Sequence, residues 1–97
     1  MLFRSVPSWP DEEKSFADVH ARLKKAIEYL SSFAPSDFEG SEKREINLRL
    51  GPHAIDFTGS GYVSSFVLPN FFFHVTTAYV ILRHNGLAVG KTDFLGG

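Results

Sequence analysis

Ser65-Phe66-Val67-Leu68-Pro69-Asn70-Phe71-Phe72-Phe73-His74-Val75-Thr76-Thr77-Ala78-Tyr79-Val80-Ile81-Leu82 is the stretch on which the fold turns. At 100° per residue its apolar side chains cover nearly the whole circumference instead of one stripe. A helix of that kind belongs inside a large core or a membrane. The few polar positions are Asn70, His74, Thr76 and Thr77. Asn70 and His74 are four apart and share one face, with Thr77 one step further along it. The sequence therefore predicts a buried helix over 60–85 that carries a short polar row.

Pro69 interrupts this helix. A restart there would place Leu68 at the cap, and leucine has no oxygen to offer a free N–H. The kink is favoured instead: the ring removes one backbone hydrogen bond and presses on the carbonyl of Ser65. Thr58-Gly59-Ser60-Gly61 reads as a cap with flexible joints before Tyr62. At the other end Arg83 and His84 suit the carbonyl terminus. Asn85-Gly86 is a stop signal, with Leu87 as the returning apolar residue. Pairing His84 with His74 as ligands fails on geometry, because ten helical residues climb roughly 15 Å and turn the side chain about 80° away. The tail, 86–97, offers Phe94 and Leu95 to a helix surface.

Upstream the period changes to two. Ile46, Leu48 and Leu50 alternate with Asn47 and Arg49, and Ile55 and Phe57 flank Asp56. With Gly51-Pro52-His53 between the runs, 44–58 reads as a hairpin with one apolar face, which must lie against a helix to be stable. Before it, Phe16, Val19, Leu23, Ala26, Ile27 and Leu30 recur at spacings of three and four, an amphipathic helix over 15–33. Ser15 supplies its cap and Asp18 suits its first turn. His20 lies near the edge of the apolar face and reads as a packed or half-exposed side chain. Residues 1–14, with Pro7, Pro10 and the acidic run Asp11-Glu12-Glu13, read as an irregular arm with solvated charge.

Composition narrows the functional classes. A chain of 97 residues, 43% apolar with ten Phe, is one small globular domain. Net charge is −1 with no basic block, which argues against nucleic acid. Cysteine is absent, removing disulfides, thiolate metal sites and a Cys nucleophile together, and suiting a reducing cytoplasm. The first residues carry no apolar run of signal-peptide length. The window 62–82 is long enough to span a bilayer, but Pro69, Asn70 and His74 near its middle argue against a membrane. No phosphate-binding glycine loop, nucleophile elbow or proton-sharing carboxylate pair is visible.

Supply and demand of apolar surface then disagree. One amphipathic stripe, one hairpin face and a brief tail cannot enclose a helix that is apolar on all sides. The remainder would be an exposed patch larger than monomers usually carry. The expectation is a two-fold homodimer with the long helices central.

The run Leu68-Pro69-Asn70-Phe71-Phe72-Phe73-His74-Val75-Thr76-Thr77-Ala78-Tyr79, then Ile81-Leu82-Arg83-His84-Asn85-Gly86, then Gly90-Lys91-x-Asp93-Phe94-Leu95-Gly96, resembles an uncharacterised bacterial and fungal domain family. That family is grouped with the DinB/YfiT-like four-helix bundles. Ser15-Phe16-Ala17-Asp18 and the hairpin also resemble it, so the likeness runs from about Val6 to Gly96. Members are usually nearly twice as long, so the resemblance implies the C-terminal half of a four-helix bundle, mainly α with a β-hairpin, completed by dimerisation. The wider superfamily often holds a divalent metal such as Zn or Ni through three histidines, for thiol-dependent transfer or isomerisation. His74 matches the second histidine of its helical pair. The first falls on Asn70, a poorer ligand, and the third belongs to a helix absent here.

Three functions follow. The reading leans to a non-catalytic bundle domain that self-associates, with Asn70, His74 and Thr77 as its buried polar groups and Ser15, Pro69 and Gly86 as structural residues. The alternatives are a metal-dependent thiol transferase-like enzyme with a degenerate site at His74, and a small-molecule pocket at the Pro69 kink lined by aromatic rings.

Overall fold

The computed structural model describes residues 6–97, so residues 1–5 of the arm lie outside the described residues. The chain forms two compact units, Met1–Gly40 and Ser41–Gly97. It is mainly helical with a single two-stranded antiparallel hairpin among the described residues.

The first unit is built on α1, Phe16–Ser31. Ser15 caps it: the Asp18 N–H donates to Ser15 Oγ at 3.1 Å, and the Asp18 carboxylate accepts from Lys14 N–H at 3.0 Å. Ser15 thus satisfies a backbone donor that the first turn leaves free, and Asp18 ties down the residue ahead of the cap. Pro35 opens a 3-10 turn, Pro35–Phe38, where the Ala34 N–H donates to Asp37 Oδ2 at 2.7 Å. That turn brings Phe38 to Phe33, which also meets Tyr29 edge-on. The half-buried residues of α1 are Arg22, Ala26 and Tyr29. The stripe of Phe16, Val19, Leu23, Ile27 and Leu30 is exposed, Phe16 and Leu30 to 87% and 67%.

The acidic run is not simply solvated. Arg22 reaches back and donates to Asp11 Oδ1 at 2.7 Å, to Glu13 Oε1 at 2.9 Å and to the Pro10 carbonyl at 3.3 Å. One guanidinium therefore fastens the arm to the helix, and its paired carboxylates hold it above the ordinary arginine range, Glu13 first and Asp11 second.

In the second unit, Ser41–Lys43 forms a 3-10 turn that leads into β1, Glu45–Leu50, and β2, His53–Thr58. The register pairs Ile46 with Phe57, Leu48 with Ile55 and Leu50 with His53. His53 therefore begins a strand instead of lying in the turn, since Gly51 and Pro52 suffice to reverse the chain. Gly51 takes φ +60°, which tight hairpin turns demand and only glycine adopts freely. On the apolar face Phe57 meets Tyr62 and Phe66, and those two rings stack at 5.5 Å, so the hairpin lies against the following helix.

That long helix runs without a break over Gly59–His84. Its start is set by contact. Gly59 is the only buried residue among those described, and a Cβ there would stand 1.7 Å from the Ser41 carbonyl oxygen. Next to it Ser60 Oγ donates to the Glu42 carbonyl at 2.9 Å. Gly59 is thus a close-approach glycine, a role beyond that of a flexible joint. Thr58 caps the helix by accepting from Gly61 N–H at 3.1 Å.

Pro69 acts through the turn before it. Val63–Val67 widens to π geometry, and the Leu68 N–H bonds to the Val63 carbonyl, five residues back. A proline ring crowds the carbonyl four residues earlier and offers no N–H to it. The wide turn accommodates both effects without a new cap, and the helix continues as Leu68–His84. It ends in a Schellman motif: Leu87 N–H bonds to the Leu82 carbonyl and Gly86 N–H to that of Arg83, with Gly86 at φ +102°. A short helix, Lys91–Phe94, follows. It docks through Phe94 edge-on to Tyr79 and through the Tyr79 hydroxyl, which donates to the Gly90 carbonyl. Leu95 is left exposed.

The helix expected to be buried is not covered by its own unit. Phe71, Phe72 and Phe73 are 56, 51 and 64% exposed, and among the described residues no hydrophobic side chain is fully buried. The physical reason is the shortage of apolar surface described above: the hairpin engages Tyr62 and Phe66 and the tail engages Tyr79, which leaves the Phe71–Phe73 run largely open.

Candidate functional site

Part of the polar row lies in an apolar hollow of the second unit. Asn70 and His74 line an open groove of about 560 Å³ together with Tyr62, Phe66, Phe71 and Ala78. Four-residue spacing puts Phe66, Asn70, His74 and Ala78 on one strip of the helix, two apolar residues flanking two polar ones. The widened turn lets Tyr62 and Phe66, which are held against β2 by Phe57, border the same hollow.

Asn70, His74 and Thr77 are exposed, and none of them makes a side-chain hydrogen bond among the described residues. The ring of His74 rests edge-on against Phe73 at 5.3 Å. Thr77 lies on the same helical face but does not border the groove. The strip thus presents one amide and one imidazole with unused donors and acceptors in an otherwise apolar wall. Groups of this kind take partners when such a surface is covered.

As a metal centre the site does not fit its residues. Among the described residues no three His, Asp or Glu side chains gather where they could hold one ion. His74 has only Asn70 beside it in the groove, and a neutral amide is a weak ligand for Zn or Ni. The Ser64 hydroxyl donates to the Gly61 carbonyl. What the groove can do chemically is bury apolar surface and make two directed hydrogen bonds.

Residues 2–95 match the family described as "Domain of unknown function (DUF1993)". The chain belongs to this family. The match covers nearly the whole sequence, so the groove, the hairpin and the fastened arm are all parts of the DUF1993 domain. No curated protein and no solved structure matches the chain.

Sequence reasoning did not find two residues that organise the fold, one in each unit. Gly59 sets where the long helix begins, but its role depends on Ser41, eighteen residues away, and only a lone glycine after a strand hinted at close approach. Arg22 organises the DUF1993 arm through Asp11 and Glu13, and the signal was an acidic cluster about one helical turn upstream of a capped helix.

The long helix is also long and apolar enough, by length and composition, to cross a membrane. Its first turns carry the hairpin, and its middle holds Pro69, Asn70 and His74.

Proposed function

We propose that this DUF1993 domain is a non-catalytic, self-associating helical module of the DinB/YfiT-like kind. In this reading two copies pool their long helices and their α1 helices into a four-helix arrangement. The observation that carries the proposal is the exposure of Phe71, Phe72 and Phe73 on a helix that is apolar all round. The open stripe on α1 supports it, because Phe16, Leu23, Ile27 and Leu30 want the same kind of cover. Protein is the favoured cover over lipid, since charged strands flank the helix and polar groups interrupt it.

Sedimentation velocity at micromolar concentration tests the reading. A dimer is expected, and a stable monomer across that range would remove it. Metal analysis guards the catalytic alternative: stoichiometric Zn or Ni, lost on His74→Ala, would replace this proposal with a metal-dependent one. The groove itself favours a second reading, an apolar small-molecule site. That reading predicts a monomer whose melting temperature rises with a hydrophobic ligand.

A further inference from the structure

Two unsatisfied polar side chains in an apolar groove restrict what can fill it. We infer that the occupant is the same groove of a second copy, its long helix antiparallel, with the dyad passing between Asn70 and His74. This rests on the self-association proposed above and specifies its seam.

The argument is one of self-complementarity. A two-fold contact requires that if residue i faces residue j, then j faces i. With the dyad level with position 72, Asn70 of one copy faces His74 of the other, and Phe66 faces Ala78. Each large side chain meets a small one, which lets facing layers interdigitate. Asn70 offers both a donor and an acceptor, and a neutral imidazole offers one of each, so two equivalent hydrogen bonds form across the axis. Both groups are without hydrogen-bond partners among the described residues. A parallel pairing would oppose Phe66 to Phe66 and Ala78 to Ala78, crowding one end and leaving the other empty. An apolar ligand or a lipid tail would leave both polar groups unpaired.

The helix keeps apolar surface open for such a contact: Leu68 and Phe71 are 46 and 56% exposed, and a standard interface takes about 800 Å² from each partner.

Cysteine is absent from the sequence, so introduced thiols report without interference. Facing positions on packed helices come within disulfide range, while same-residue pairs in this register are displaced by about 6 Å along the axis and fall outside it. Mixing full-length Asn70→Cys with His74→Cys chains under oxidation should give the mixed disulfide, and neither variant alone should cross-link. The exchange variant Asn70→His/His74→Asn keeps the pairing and should dimerise within about twofold of the wild type, whereas Asn70→His alone, which opposes two imidazoles, should dimerise about tenfold more weakly. A wild-type dimer with cross-links in either single variant, with none in the mixture, or with loss of dimer in the exchange variant, overturns this seam while sparing self-association. A wild-type monomer overturns both.

Discussion

Replacing Gly59 with alanine probes the contact that sets the long helix on its hairpin. The new Cβ would stand 1.7 Å from the Ser41 carbonyl oxygen and 2.7 Å from its carbon, both backbone atoms. No side-chain rotation relieves this, so the Ser41–Lys43 turn must move by more than an ångström. Overpacking of this kind costs about 1–3 kcal/mol. The shift also breaks the hydrogen bond from Ser60 Oγ to the Glu42 carbonyl, worth about 1 kcal/mol. Against these stands the better helix propensity of alanine, about 1 kcal/mol at most. The net expectation is a loss of about 2 kcal/mol, or a melting temperature lower by roughly 8–16 °C for a domain of this size. The assay is urea unfolding followed by circular dichroism, with all variants at one protein concentration because association raises apparent stability. Gly90→Ala is the control, since its Cβ would meet nothing closer than an Asp93 oxygen at 4.0 Å. If Gly59→Ala unfolds within about 0.5 kcal/mol of the control, the close-approach reasoning is wrong.

Gly86→Ala places a side chain at φ +102°, and thermal melts should show a loss of about 1 kcal/mol with the Schellman bonds weakened. Asp18 is held below its ordinary carboxyl value of 3.8, first by the Lys14 N–H and then by Ser15. A depressed carboxylate contributes stability that is fully present above its unfolded value and is lost as pH falls through the folded one. Acid titration followed by circular dichroism should therefore show α1 loosening below about pH 4, and Asp18→Asn should flatten that limb. Phe71→Glu puts a charge in the groove wall at a position 56% exposed in the single chain. Its monomer should fold normally while sedimentation shows association weakened about tenfold or more; unchanged association would exclude the groove from the interface.

The features most legible in the sequence are those whose partners are a few residues away. Ser15 and Asp18 satisfy donors within one turn, Gly86 and Leu87 donate to carbonyls three and five residues back, and the period-two alternation of 46–50 pairs with 55–57 across a two-residue turn. Pro69 announced a disturbance that was read as a kink, and the widened turn ahead of it follows from the same missing N–H. Gly59 and Arg22 escaped notice for one reason: their partners, Ser41 and Glu13, are distant in sequence or of a type common on any surface. The candidate site was half legible. Spacing placed Asn70 and His74 on one face, but only coordinates show that the face is hollow, bordered by Tyr62 and Phe66, and without side-chain hydrogen bonds among the described residues.

The widened turn at Val63–Val67 has a bearing on how long a flat seam this helix can offer. In an unbroken α-helix each step of four residues overshoots a full revolution by about 40°, so Tyr62 and Ala78 would point roughly 160° apart. Taking up one surplus residue in a single broad coil winds that drift back to about 60°. The helix behaves like a vernier reset partway along its scale: side chains sixteen positions apart border a common trough.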